Sequence, residues 1–158
     1  MVHLPSWIIQ DGNYSDFAVG ERRRFALEFH SDDLAEVAPG VRTAVSLGEG
    51  RYEVAATVEC AMPEVTLIDI GGLIAYCDSG QPSAPVGTWL TGQVLLSVDC
   101  YSYYEIHAQH REVPPAVYSW TVTGLWRQTA PYITDTGRTG QLSNPRPRPA
   151  RVRMDGPD

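Results

Sequence analysis

Asp99, Tyr101, Tyr103, Glu105 and His107 are the residues of this chain whose types and spacing point most directly to chemistry. They fall at every second position, and side chains two apart on an extended strand project from one face. Two carboxylates, two phenols and an imidazole on one face can do general acid–base work in a concave pocket, or form a polar binding surface in the open. A solvated strand face with cross-strand polar pairs uses the same residues without chemistry. Asp69, in a glycine-rich turn, joins the set if its strand pairs alongside.

The remaining constellations are weaker. His107 and His110 stand three apart, a spacing that on a strand turns the two rings to opposite sides, so no shared metal is expected. Cys100 has the opposite parity to His107, which argues against a thiol–imidazole nucleophile. Gly71-Gly72 precedes no helix and so makes no phosphate loop. The run Arg22-Arg23-Arg24 reads as a solvated strand lead-in. No cofactor is implied.

Short alternating runs dominate the elements that would position these residues. Val94, Leu96, Val98, Cys100, Ser102, Tyr104 and Ile106 oppose the five polar residues and predict a core face for one long strand reaching His107. Phe25, Leu27 and Phe29 alternate with Ala26, Glu28 and His30, and Val41, Thr43, Val45 and Leu47 alternate with Arg42, Ala44 and Ser46; both predict half-buried strands. Tyr52, Val54, Ala56, Val58 and Cys60 oppose Glu53, Ala55, Thr57 and Glu59 in the clearest amphipathic strand. Tyr118, Trp120, Val122 and Trp126 form an aromatic core face after Pro114-Pro115.

Punctuation is equally informative. Gly71-Gly72 supplies the positive φ of a two-residue turn that would pair Ile70 with Leu73 and Ile68 with Ala75. A second hairpin is expected over residues 47–51, a turn at residues 10–13, and a surface loop over residues 78–87. Residues 31–38 give the one helical signal: Asp33 and Glu36 have capping-box spacing, and Pro39-Gly40 limits the element to about two turns. Residues 88–107 would span about 66 Å if straight, too long for the domain, so a bulge or bend is expected at Gly92.

The expected fold is all-β: a single antiparallel β-barrel or closed sandwich of about seven to nine strands with at most one short helix. With its short strands, single short helix and Phe17-Ala18-Val19-Gly20-Glu21 lead-in to residues 22–29, the outline resembles the small oligonucleotide/oligosaccharide-binding (OB) barrels. That resemblance implies an architecture and carries no site. Residues 1–142 form the β-barrel domain. Residues 143–158 form a tail in which Pro145, Pro147 and Pro149 alternate with Arg146 and Arg148, favouring extended, solvated chain. This tail reads as a disordered, solubilising end, free to lie back on the acidic body, with a contact to nucleic acid or to an acidic partner as the alternative.

The 158 residues carry a formal charge of −7, with twelve arginines and no lysine, which reads as the coding bias of a GC-rich bacterial or phage genome. Residues 1–142 hold eight arginines against seventeen acids, whereas residues 143–154 hold four arginines and no acid. An acidic body repels phosphate, which counts against nucleic-acid binding. The first ten residues show no basic leader and a three-residue apolar run, so neither a signal peptide nor a membrane span is expected and the chain is placed in the cytoplasm. Cys60, Cys77 and Cys100, an odd number far apart, read as reduced thiols.

No nucleophile, metal or phosphate motif is present, so the leading reading is a non-enzymatic binding or protein-interaction module. It would use the face bearing Asp99, Tyr101, Tyr103, Glu105 and His107, with a protein partner or a second copy pairing at a strand edge, expected along residues 86–96. A small barrel enzyme or ligand carrier with the same face inside a cavity is the alternative. An acidic neutraliser of a basic partner is a third, resting on charge alone.

Overall fold

The structure is a computed structural model that describes residues 2–5, 17–79, 81–125, 132–133 and 139–140. Runs of β-branched and aromatic residues between glycine-rich turns give eight strands: β1 (Arg22–His30), β2 (Ala35–Val37), β3 (Thr43–Gly48), β4 (Arg51–Met62), β5 (Val65–Asp69), β6 (Ile74–Cys77), β7 (Trp89–Asp99) and β8 (Val117–Thr121). They join in one mixed sheet of eight strands. Two two-residue strands, β9 (Tyr132–Ile133) and β10 (Thr139–Gly140), pair with each other. The described residues are thus mostly β-sheet, with one π-helical turn among them at Tyr103–His107. No helix among the described residues is long and apolar enough to cross a membrane.

The sheet runs β2-β7-β1-β6-β5-β4-β3, with β8 beside β1. β7 also pairs with β4, from Arg51↔Leu95 to Thr57↔Trp89, so the pairings lead from β7 through β1, β6, β5 and β4 back to β7. The expectation of an antiparallel sheet needs one correction, because β1 and β6 meet in parallel at Glu28↔Tyr76. Residues 86–96 are no edge either. They lie largely in β7, which has β4 on one side and β1 and β2 on the other. The sheet order ends instead at β2 and β3.

Two apolar clusters lie on opposite faces of β1, β5 and β6, as alternation requires. Phe25, Leu27, Phe29, Ile68 and Ala75 join the main core with Val54, Val58, Leu90, Leu96, Val98 and Trp120. Ala26, Leu67 and Tyr76 join the second with Cys60, Tyr103, Val113 and Ala116. The glycine hairpin forms in the expected register, with the Ile70 N–H donating to the Leu73 carbonyl at 2.9 Å and Ile68 opposite Ala75. Positive φ at Gly71 and Gly72 permits it, and the Asp69 carboxylate accepts both glycine N–H groups. The β3–β4 hairpin turns through Gly48, Glu49 and Gly50, all at positive φ. The aromatic face of β8 packs inward at Trp120 and Val122, while Trp126, the turn at 10–13 and the tail lie outside the described residues.

Three local expectations fail. Residues 31–38 hold strand β2 in place of a helix, because the Asp33 carboxylate is engaged elsewhere: it accepts the Gln93 N–H at 3.2 Å while the Ser31 hydroxyl donates to the Gln93 carbonyl at 2.6 Å. That clasp explains Gly92, where a Cβ would stand 2.9 Å from the Asp33 carbonyl oxygen; the glycine serves close approach of two backbones. β3 forms as predicted but is not half-buried, with Thr43 to Leu47 exposed on both faces. The long strand stops at Asp99, eight residues short of His107.

Candidate functional site

The end of β7 is decided by one side chain. The Asp99 carboxylate accepts the N–H groups of Tyr101, Ser102 and Tyr103 at 3.0, 3.0 and 2.9 Å. Three charge-assisted bonds to consecutive amides favour a turn over further extension. The π-helical turn that follows swings Tyr103 and His107 inward and leaves Tyr104 and Ile106 61% and 55% exposed. Beyond Cys100 the two predicted faces are therefore not kept. Asp99, Tyr103 and His107 are buried, Tyr101 is half-buried and Glu105 is exposed, so the five residues share no face.

The structure assembles a different set around three of them. Glu28, Ser97 and Tyr76 lie abreast on the outer face of β1, β7 and β6, with Asp99 one pleat along, opposite Ala26. The turn lays Tyr103 and His107 over this face, with ring centroids 5.2 and 5.7 Å from that of Tyr76. The His107 Nε2 pairs with the Asp78 carboxylate, and the Tyr103 hydroxyl donates to the Pro114 carbonyl. Glu28 also pairs with His30 at 3.3 Å.

Burial sets the electrostatics. It raises the Glu28 pKa above the usual carboxyl range, with Asp78 and Asp99 adding to the rise and His30 opposing it. It also pushes the Tyr76 hydroxyl far above its ordinary value, reinforced by Asp99, Glu28 and Asp78. Tyr103 is raised too, chiefly by burial. These carboxyl and phenol groups are held toward their protonated forms.

His107 is 4% exposed and committed to Asp78. The cavity lined by Arg24, Phe25, Asp99, Tyr103 and Val117 has a volume of about 20 Å³, room for a water molecule. No group of three or more metal-ligating side chains occurs among the described residues. Cys60 and Cys77 are buried thiols. Sequence reasoning missed Glu28, Tyr76 and Asp78. The first two carry the outward parity of their strands, whereas Asp78 sits in the loop after β6 and gives no local sign of its partner 29 residues away.

A further feature open to a partner among the described residues is β3. It pairs with β4 along one side only, among the described residues, and Val45 and Leu47 are 58% and 49% exposed. Val41, just before it, is also exposed. Its six residues, Thr43 to Gly48, include no charge and no proline. Compared with protein-family models, curated proteins and solved structures, the chain finds no match in any of the three.

Proposed function

We propose that this protein is a non-enzymatic interaction module that binds an extended protein segment by strand addition at β3. The reading is carried by an uncharged edge strand whose apolar side chains are exposed. An unpaired edge offers a row of backbone donors and acceptors to an incoming strand, and proteins that avoid such pairing protect the edge with charge, proline or a covering element. β3 has neither charge nor proline within it. The pairing circuit β7-β1-β6-β5-β4-β7 supports reading the domain as a small five-stranded barrel of the OB outline, from which β2 and β3 extend. Buried thiols at Cys60 and Cys77 support a reducing compartment such as a bacterial cytoplasm.

The enzyme or carrier alternative draws on the His107–Asp78 pair. Around the neighbouring Asp99 and Tyr103 the cavity is about 20 Å³, against roughly 300–1,000 Å³ for ligand sites, which disfavours a ligand site there.

Selection of displayed random peptides on the protein tests the module reading. Peptides with extended, alternating sequences should be recovered, and their binding should be lost in a variant with Val45→Lys and Leu47→Lys. Failure to recover any peptide even on a chain with Arg146→Pro and Arg148→Pro, or equal binding to the lysine variant, would overturn the reading.

A further inference from the structure

We propose that the strand added to β3 is this chain's own segment 144–152, docked through backbone groups on the side that carries Asn144, Arg146, Arg148, Ala150 and Val152. This rests on the reading of β3 as a strand-accepting edge and names its occupant.

In an extended strand the N–H and C=O of one residue point to one side and those of the next residue to the other. The segment reads Asn144-Pro145-Arg146-Pro147-Arg148-Pro149-Ala150-Arg151-Val152. All three prolines fall at odd positions, so the side facing away from β3 loses its donors there, while the even positions keep an unbroken row of five N–H groups. Such a strand can pair along one edge and cannot template another strand beyond it. Proline spaced in this way caps a sheet, and of the two ends of this sheet order β3 is the longer and uncharged one, whereas β2 has three residues and carries Glu36.

Charge complementarity favours the tail over a second copy of β3. Glu49 follows β3, and Glu53 stands opposite Val45 on β4; both are exposed. Arg42, just before β3, is already held by Asp69 and lies 3.8 Å from Glu59. The four arginines of residues 143–154 meet a body with seventeen acids and eight arginines, whereas β3 pairing with its own copy would bring two acidic bodies together. Reach is sufficient. Seven residues from Leu125 to Tyr132 and four from Gly140 to Asn144 flank the β9–β10 pair, and eleven extended residues span up to about 40 Å, against a domain breadth of about 36 Å.

The test is hydrogen exchange of the β3 amides in the full chain, resolved residue by residue by NMR. Replacing Arg146 and Arg148 by proline removes two inward donors and should speed exchange of alternate β3 amides about tenfold. Replacing both by glutamine keeps the donors and should retain protection to within about threefold. A synthetic peptide of residues 143–154, added to the proline variant, should restore protection. Light scattering should give a monomer. Equal exchange in the wild type and the proline variant, or equal loss in the proline and glutamine variants, would overturn the proposal, as would a dimer lost in the proline variant. If the tail variants change nothing while selected peptides still protect β3, the tail assignment falls and the module reading stands. If those peptides also fail to protect it, both fall.

Discussion

Asp99 and Tyr103 are joined by a 2.9 Å hydrogen bond from the Tyr103 amide to the Asp99 carboxylate, the last of three that end β7 and start the turn over Tyr76. Asp99 is 3% exposed, so water cannot readily replace it. Asp99→Ala should cost about 3 kcal/mol in urea unfolding, because it leaves buried amides without an acceptor. A loss below about 1 kcal/mol would show that the turn holds without the carboxylate.

Trp120 stacks on Phe25 with centroids 5.4 Å apart and donates its indole N–H to the Phe25 carbonyl at 3.0 Å. Trp120→Ala should lower stability by roughly 3–5 kcal/mol through lost burial and an open cavity. Trp120→Phe should recover part of that loss. Equal instability of the two variants would assign the whole effect to the hydrogen bond.

Glu28 and Tyr76 both favour their protonated forms in the folded chain. A raised folded pKa contributes stability below the pKa of the unfolded chain, and the contribution is lost as pH rises through the folded value. For Glu28 that loss begins above the ordinary 4.5, so Glu28→Gln should raise the melting temperature at pH 7, with the gap closing by pH 4. For Tyr76 it begins above 10, and alkaline unfolding should start there. A melting temperature lowered at pH 7 by Glu28→Gln would show that the His30 pair outweighs burial.

Gly92→Ala should destabilise the protein by roughly 1–3 kcal/mol, since its Cβ would lie 2.9 Å from the Asp33 carbonyl oxygen and its φ is +149°. Thermal unfolding monitored by circular dichroism checks it. An unchanged midpoint would mean that the 31–33 turn moves aside at no cost.

Legibility followed the range of the interaction. The Gly71-Gly72 hairpin and the alternation of β4 were plain because turn chemistry and side-chain parity are local. The burial of Leu67 and Tyr76 on a second face was hidden, because only the chain from Cys100 to Ala116, laid over β5 and β6, distinguishes a two-sided strand from a one-sided one. Asp33 and Asp99 each misled for one reason: a carboxylate that can cap a helix or decorate a strand can also capture backbone amides, and the choice depends on neighbours distant in sequence or in direction. His107 was read as one of five residues on a strand face, and its partner Asp78 lies in a breaker-rich loop with no periodicity to place it. β3 shows the converse. Its alternation is that of any half-buried strand, and nothing within it tells that both faces stay open.

The double pairing of β7 also sets an order of events in folding. β3 to β6 form three consecutive hairpins that close over a few residues each, whereas β1 must find β7 across more than sixty. Closing the short loops loses less chain entropy, so the meander assembles first and β7 docks late. During synthesis the β4 edge that will receive Trp89 to Leu95 stays open until those residues emerge, and the nascent chain is most prone to pair wrongly in that interval.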